Sequence, residues 1–345
     1  LMKKGAVVLR YDKLKSWDAE GKGLASRMEV DGDEISLVVE DEDAVYPITI
    51  DPTFTQVRKI VASDGIAGDL FGRSIALSGD TAIVGAISDD VGPNANQGSA
   101  YIFVRNAGGD NNWSEVKKLT ASDGGTNDGF GSAVAIYGDT AIVGAEGDLA
   151  GGQGSAYIYY LNAGGANNWG EVKKLSPVDG VSFGTSLSID QNTLVVGARG
   201  FFDGETGTQG AAYIFERDQG GANNWGLVKM IQASDGGIGD FFGSSTCIKE
   251  NTVFVGTGRT RAYVFERDEG GIDNWGQLKI LFSQQGSLDV GFATSISVDG
   301  DTAVIGAPED FEDENDDGQG AAYILGRNAG GENNWGLVKR IIAAD

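Results

Sequence analysis

With no histidine anywhere in its 345 residues, the chain must rely chiefly on carboxylates for acid–base or metal chemistry. The absence removes His-based nucleophilic triads, most zinc sites and the commonest general base. Two acidic patterns remain. The first is a run in which Glu309, Asp310, Glu312, Asp313, Glu314, Asp316 and Asp317 crowd together. Within it Asp313, Asn315, Asp317 and Gly318 follow the first half of a calcium loop, where alternate oxygen ligands precede a glycine turn. The carboxylate that should close such a loop falls on Ile324. Asp313, Asn315 and Asp317 are therefore the candidate metal ligands, Ca2+ is the candidate ion, and a solvated acidic loop is the competing reading. No cofactor is required. The second pattern is a set of pairs five residues apart, Asp64/Asp69, Asp123/Asp128 and Asp235/Asp240, each ahead of a Phe-Gly. They read as turn caps, with cation ligation as the alternative.

The elements that must position these residues recur along the chain. Phe71, Phe130, Phe183, Phe242 and Phe292 are each followed fourteen residues later by a glycine, Gly85, Gly144, Gly197, Gly256 and Gly306. Tyr101, Tyr157, Tyr213, Tyr263 and Tyr323 each precede a tryptophan by twelve, at Trp113, Trp169, Trp225, Trp275 and Trp335. Two intervals kept five times define a tandem repeat of roughly 50 to 60 residues, a period typical of propellers or solenoids.

Within one repeat every signal is β. From Phe130 the chain alternates Phe130, Ser132, Val134 and Ile136 on one face with Gly131, Ala133 and Ala135 on the other, the period of a strand. A face of tiny side chains suits the innermost strand of a blade, where space near the axis is tightest. Gly/Asp turns such as Gly138-Asp139 lead to Thr140–Val143, then a loop of variable length, Ala156–Tyr159, a Gly/Asn loop and Trp169–Leu175. Four antiparallel strands per repeat make one propeller blade. The Asn-Asn before most of the tryptophans reads as turn chemistry. The recurring Trp and Tyr read as structural anchors rather than sugar platforms. Cys247 stands where other copies have Ala76, Ala135, Ser188 and Ser297, which makes it a small core side chain rather than a nucleophile.

At these residues the chain resembles the FG-GAP repeat family, which builds the blades of integrin α-subunit heads and occurs in many bacterial secreted proteins. The Phe-Gly pairs carry the likeness, together with Gly85-Ala86, Gly144-Ala145, Gly197-Ala198 and the Gly-Ala-Pro at Gly306–Pro308. It spans about residues 56 to 345 and implies a β-propeller. The integrin branch also places Asp-rich calcium loops between its first and second strands. Here those turns are two or three residues long, so integrin-type cation binding is not implied. The bacterial variant, with Ala-Ser-Asp-Gly ahead of Phe-Gly, is the closer likeness.

Residues 1–55 lie outside the repeat and read as a small β segment, a sandwich or a degenerate blade, with strands over 6–9, 26–30, 35–39 and 46–50. Residues 56–345 form the propeller blades, and 56–62 match the outer strand of a blade whose first three strands do not precede it. That strand could be completed by residues 1–55, by sequence beyond the given ends, or by another molecule; the opening Leu1-Met2 points to upstream sequence. A formal charge of −24 argues against nucleic-acid or anionic-membrane partners, and no apolar run is long enough to insert in a membrane. One cysteine cannot form an intramolecular disulfide.

The expectation is an all-β, non-catalytic propeller at the cell exterior, secreted or surface-bound. Its partner would be a protein or polysaccharide, or another copy through the unpaired outer strand. Ligand contacts fall to the variable loops 87–97, 146–153, 199–209, 258–261 and 309–319, which should share one face. The alternative is a carbohydrate-active hydrolase or lyase with a carboxylate site on the propeller face.

Overall fold

The computed structural model describes residues 2–3, 6–7, 13–31, 34–53, 58–148, 152–176, 182–201, 209–283, 290–311 and 318–342. Runs such as Thr-Ala-Ile-Val and Ala-Tyr-Ile-Phe are β-branched and aromatic, and they pair as sheets. Blade two shows the plan: Phe130–Tyr137, Thr140–Ala145, Ser155–Tyr160 and Gly170–Leu175 are hydrogen-bonded in chain order, each antiparallel to the next. Blade one (Phe71–Ser78 to Ser114–Leu119), blade three (Phe183–Asp190 to Gly226–Ile231), blade four (Ser245–Lys249 to Gly276–Phe282) and blade five (Ser295–Asp299 to Gly336–Ile341) repeat it. The inner strands of adjacent blades pack on one another in chain order. The described residues form an all-β propeller assembly of five four-stranded blades and include no helix.

The alternation expected from Phe130 breaks in one place. Phe130 pairs with Ala145 and Val134 with Val143, so three inner-strand residues stand opposite Gly144 alone. Gly131, at φ +92°, makes that bulge possible. Ser132 consequently leaves the face of Phe130, Val134 and Ile136, which pack into the core between blades one and two. Blades one and three carry the same irregularity, between Phe71 and Ser74 and between Phe183 and Ser186.

Blades join through close backbone approach and aromatic packing. A Cβ on Gly144 would lie 2.1 Å from the Gly184 carbonyl oxygen of blade three, and one on Gly197 2.0 Å from that of Gly243 in blade four. Ser186 Oγ donates to the Gly243 carbonyl at 2.8 Å, as Ser74 Oγ does to Gly131. Each opening Phe meets the blade's Tyr edge to face, Phe130 on Tyr157 at 5.4 Å and Phe292 on Tyr323 at 5.1 Å. Trp169, Trp225, Trp275 and Trp335 are buried, each side chain of that size contributing about 3 kcal/mol or more to the core. Arg327 lies 4.7 Å over Trp335 and reaches back to Thr252 Oγ1 and Glu266 of blade four; Arg267 does the same from Trp275 to Thr193 and Glu216 of blade three. The turn before each Trp has its first residue in the left-handed region, Asn167 at φ +55° for example, with the Asn162 side chain accepting its N–H at 2.7 Å.

The two ends of the array differ from its middle. Ile75 and Leu77 of blade one are 74% and 64% exposed, whereas their counterparts Val134 and Ile136 are 7% and 6% exposed. At the other end, Val304 and Ile341 of blade five are exposed where Ile142 and Leu175 are buried.

The chain divides into two compact units, Leu1–Ile60 and Val61–Asp345. In the first, Ser26–Asp31 pairs with Glu34–Val39 as the expected hairpin. Lys13–Trp17, which sequence reading missed, is the middle strand between Gly23–Leu24 and Thr49–Thr53. The last strand sits at the sheet edge, where Pro52 is tolerated. Of the outer strand expected over 56–62, residues 58–62 are described and carry no strand. A fourth strand needs the free edge of a third, and among the described residues no repeat-type strand precedes this one. Ser63 instead binds Glu115 of blade one through its N–H and its hydroxyl, both at 2.8 Å.

Candidate functional site

A cavity of about 660 Å3 opens where the inner strands converge, and all five blades line it. The second residue after each opening Phe contributes one wall group: Arg73, Ser132, Thr185, Ser244 and Thr294. In blades one to three these are the residues that the inner-strand bulge turns out of the core. The starts of the second-strand loops add Ile87, Glu146, Arg199 and Arg259. Four of the five variable loops thus reach one cavity; the described part of blade five's loop does not line it.

The chemistry of the walls is specific. Glu146 Oε2 accepts the Thr185 hydroxyl at 2.6 Å and pairs with Arg199 Nη2 at 3.3 Å. Arg259 Nη1 donates to the Gly239 carbonyl at 3.2 Å, and its guanidinium lies 5.7 Å from the Phe241 ring centre. Ser244 Oγ donates to the Phe241 carbonyl at 2.7 Å, and Thr294 Oγ1 donates to that of Gly291. Ser132 Oγ has no hydrogen-bond partner among the described residues. Three arginines face a single glutamate here, in a molecule of net charge −24. Sequence reading missed the hydroxyl positions because strict alternation assigned Ser132 to the core face; the fixed spacing from Phe was the available signal.

The paired aspartates are structural, and they divide the work. Asp69 and Asp240 accept turn N–H groups from Ile66 at 2.7 Å and Gly237 at 2.8 Å, and Asp128 accepts from Gly125. The leading member of each pair binds the blade's tyrosine: Tyr101 donates to Asp64, Tyr157 to Asp123 and Tyr263 to Asp235, each at 2.8 Å. In blades one and two a lysine and a second aspartate complete the network. Lys118 lies 2.6 Å from Asp64 and 2.7 Å from Asp89; Lys174 lies 2.7 Å from Asp123 and 2.5 Å from Asp148. The Lys118 ammonium holds the Asp64 carboxyl below its ordinary value. Burial pulls Asp123 and Asp148 upward, but the bonds from Lys174 and Tyr157 outweigh it, and both titrate below the ordinary range. Burial pushes the Tyr263 hydroxyl up to about 12.

In blade five, buried Asp310 accepts the Tyr323 hydroxyl and pairs with Arg340 at 3.0 Å. The start of the acidic run is therefore part of the blade. The candidate calcium ligands Asp313, Asn315 and Asp317 lie outside the described residues. Blade three has Phe201 in place of Asp148 and Met230 in place of Lys174, and both line a largely apolar groove of about 530 Å3 with Tyr213 and Trp225. Cys247 is half-buried, and burial pushes its thiol up, away from the thiolate a nucleophile needs.

The family profile described as FG-GAP repeat matches residues 54–103, 113–159, 169–215 and 275–325, more than half of the chain. The chain belongs to the FG-GAP repeat family. The last three FG-GAP matches start one residue ahead of an outer strand and run into the third strand of the next blade; the first starts at residue 54 and runs into the third strand of blade one. The unmatched stretch between 215 and 275 holds most of blade four, yet its four strands form with the same registers as the others. No curated protein matches the sequence. Among solved structures, the crystal structure of BamB from Moraxella catarrhalis is similar with a TM-score of 0.41 and 10% identity, covering 80% of this chain. The alignment spans 62% of that chain, less than two thirds of its length. Among the described residues no helix is long and apolar enough to cross a membrane.

Proposed function

We propose that this FG-GAP chain is a non-catalytic binding module of the cell exterior, secreted or surface-bound, that holds a protein or polysaccharide ligand on its loop face. The observation that carries this reading is the convergence of wall groups from all five blades on one axial cavity. A rigid array of blades presenting loops of different length is a scaffold suited to recognition. The enzymatic alternative needs two carboxylates flanking a scissile bond. The described lining has one, Glu146, already engaged by Arg199 and Thr185.

A panel of immobilised matrix proteins and polysaccharides, probed with the wild-type chain and with Arg199→Glu, tests the reading. Retention without release of reducing ends, lost in the variant, is the expected result. Turnover of any polysaccharide would make the protein an enzyme, and binding indifferent to Arg199→Glu would move the ligand off this face.

A second reading has its own observation. The exposed Ile75 and Leu77 repeat the positions through which blades two to five pack on the blade before them. Association of copies through these end faces would bury them, and assembly would then be part of the function.

A further inference from the structure

We propose that the axial cavity receives an acidic sugar, its carboxylate held by Arg73 with Arg199 and its hydroxyls donating to the serine and threonine oxygens of the wall. The inference rests on the binding reading above and names the ligand class. Arg73 is exposed and has no carboxylate partner among the described residues. Arg199 has only part of its fork committed to Glu146. Guanidinium forks in a concave site take a carboxylate with two parallel hydrogen bonds, stronger than neutral ones. The acidic charge of the rest of the molecule does not forbid this, because exposed charges more than about 10 Å away are largely screened at 0.1 M salt.

The hydroxyls narrow the choice. Thr185, Ser244 and Thr294 each give their proton to a protein oxygen. Each therefore offers the ligand lone pairs only, and calls for a donor. Ser132 lines the cavity, but its Oγ is buried and has no partner among the described residues, so the accessible demand comes from the other three. A ligand that fills these demands must bring an anionic acceptor and several O–H donors on one small body. A uronate sugar does so. A neutral sugar would leave the guanidiniums to water, and a peptide carboxylate would supply few donors to the wall. The cavity, about 660 Å3, is in the range of small-ligand sites, about 300–1,000 Å3.

The test is calorimetric titration of the full chain with a uronate trisaccharide and with a neutral trisaccharide of the same linkage, on wild type, Arg73→Ala and Arg73→Lys. The uronate is expected to bind at least about tenfold more tightly than the neutral sugar, and Arg73→Ala to weaken it about tenfold. Arg73→Lys should recover only part of the loss, because a lysine cannot make the two-pronged contact. Thermal unfolding of Arg73→Ala should match wild type, since the side chain is exposed. Equal affinity for the two sugars, or a Kd unmoved by Arg73→Ala, overturns the proposal. If the uronate fails while another ligand is retained and then lost in Arg199→Glu, only the acidic-sugar assignment falls. If nothing is retained, the binding reading falls with it.

Discussion

Gly144 shows how one missing atom sets the spacing of two blades. Its Cα faces the carbonyl of Gly184, and a methyl group there would sit 2.1 Å from that oxygen. Both partners are backbone, so neither can rotate away. Gly144→Ala should therefore cost about 1–3 kcal/mol through forced separation of blades two and three, measured by urea unfolding. Gly306 holds the same place in blade five, but its nearest neighbour is the rotatable Ser295 Oγ at 2.5 Å. Gly306→Ala should cost distinctly less; equal costs would mean that the inter-blade contact is not what selects glycine. At this scale sequence reading served well for Phe, Gly, Tyr and Trp, whose spacing is rigid. It failed for Ser132, because strict alternation was carried through Gly131, the residue whose positive φ allows the bulge.

The strand networks belong to the next scale. Lys174 is the cation between Asp123 and Asp148, and the Asp148 side chain is only 6% exposed. Lys174→Met should cost about 2–3 kcal/mol, because it strands a buried carboxylate. Blade three carries Phe201 and Met230 at the corresponding positions, so Asp148→Phe with Lys174→Met should recover most of the loss. A double variant no more stable than the single one would show that the two networks are not interchangeable.

The same groups set the pH range. Asp64, Asp123 and Asp148 titrate below their ordinary value. Their contribution is present above the unfolded carboxylate value, about 3.9, and is lost as pH falls through the lower folded values. Aspartate bonds raise Lys118 and Lys174 against the opposing effect of burial, and burial raises Tyr101 and Tyr157. Their contribution is present below the unfolded values, about 10, and lost as pH rises through the folded ones. The urea midpoint should be level from about pH 5 to 9 and fall on either side; a midpoint unchanged down to pH 2 would deny the networks any energetic role. The lysine partners stand seventeen residues after Tyr101 and Tyr157, as Arg340 does after Tyr323, a signal that becomes meaningful only once the third and fourth strands are paired.

For the whole molecule the open question is what meets the two ends of the blade array. Exposed Ile75 and Leu77 at one end and Val304 and Ile341 at the other repeat positions that are buried, or nearly so, between blades. Leaving such side chains partly in water forfeits a share of the about 1.5–3 kcal/mol that full burial of each contributes. Mass measured by light scattering should therefore rise with concentration for the chain as given, and Ile75→Lys with Leu77→Lys should return it to monomer. A mass independent of concentration in both would remove the assembly reading.

From the residues alone came the five-fold repeat, the four strands of each blade, the Gly/Asp and Asn-Asn turns and the family, because these depend on local spacing and on alternation with a period of two. The blade-four copy was legible in two intervals although the family profile passes over it. The tertiary structure decided which polar groups meet. Arg73, Ser132, Thr185, Ser244 and Thr294 are separated by 50 to 59 residues from one to the next, and they share a cavity only because five sheets place their inner edges side by side. It likewise decided that the paired aspartates serve tyrosines and turns, since the hydrogen-bond partner of a carboxylate is set by what packing brings within 3 Å, a distance that sequence separation does not encode.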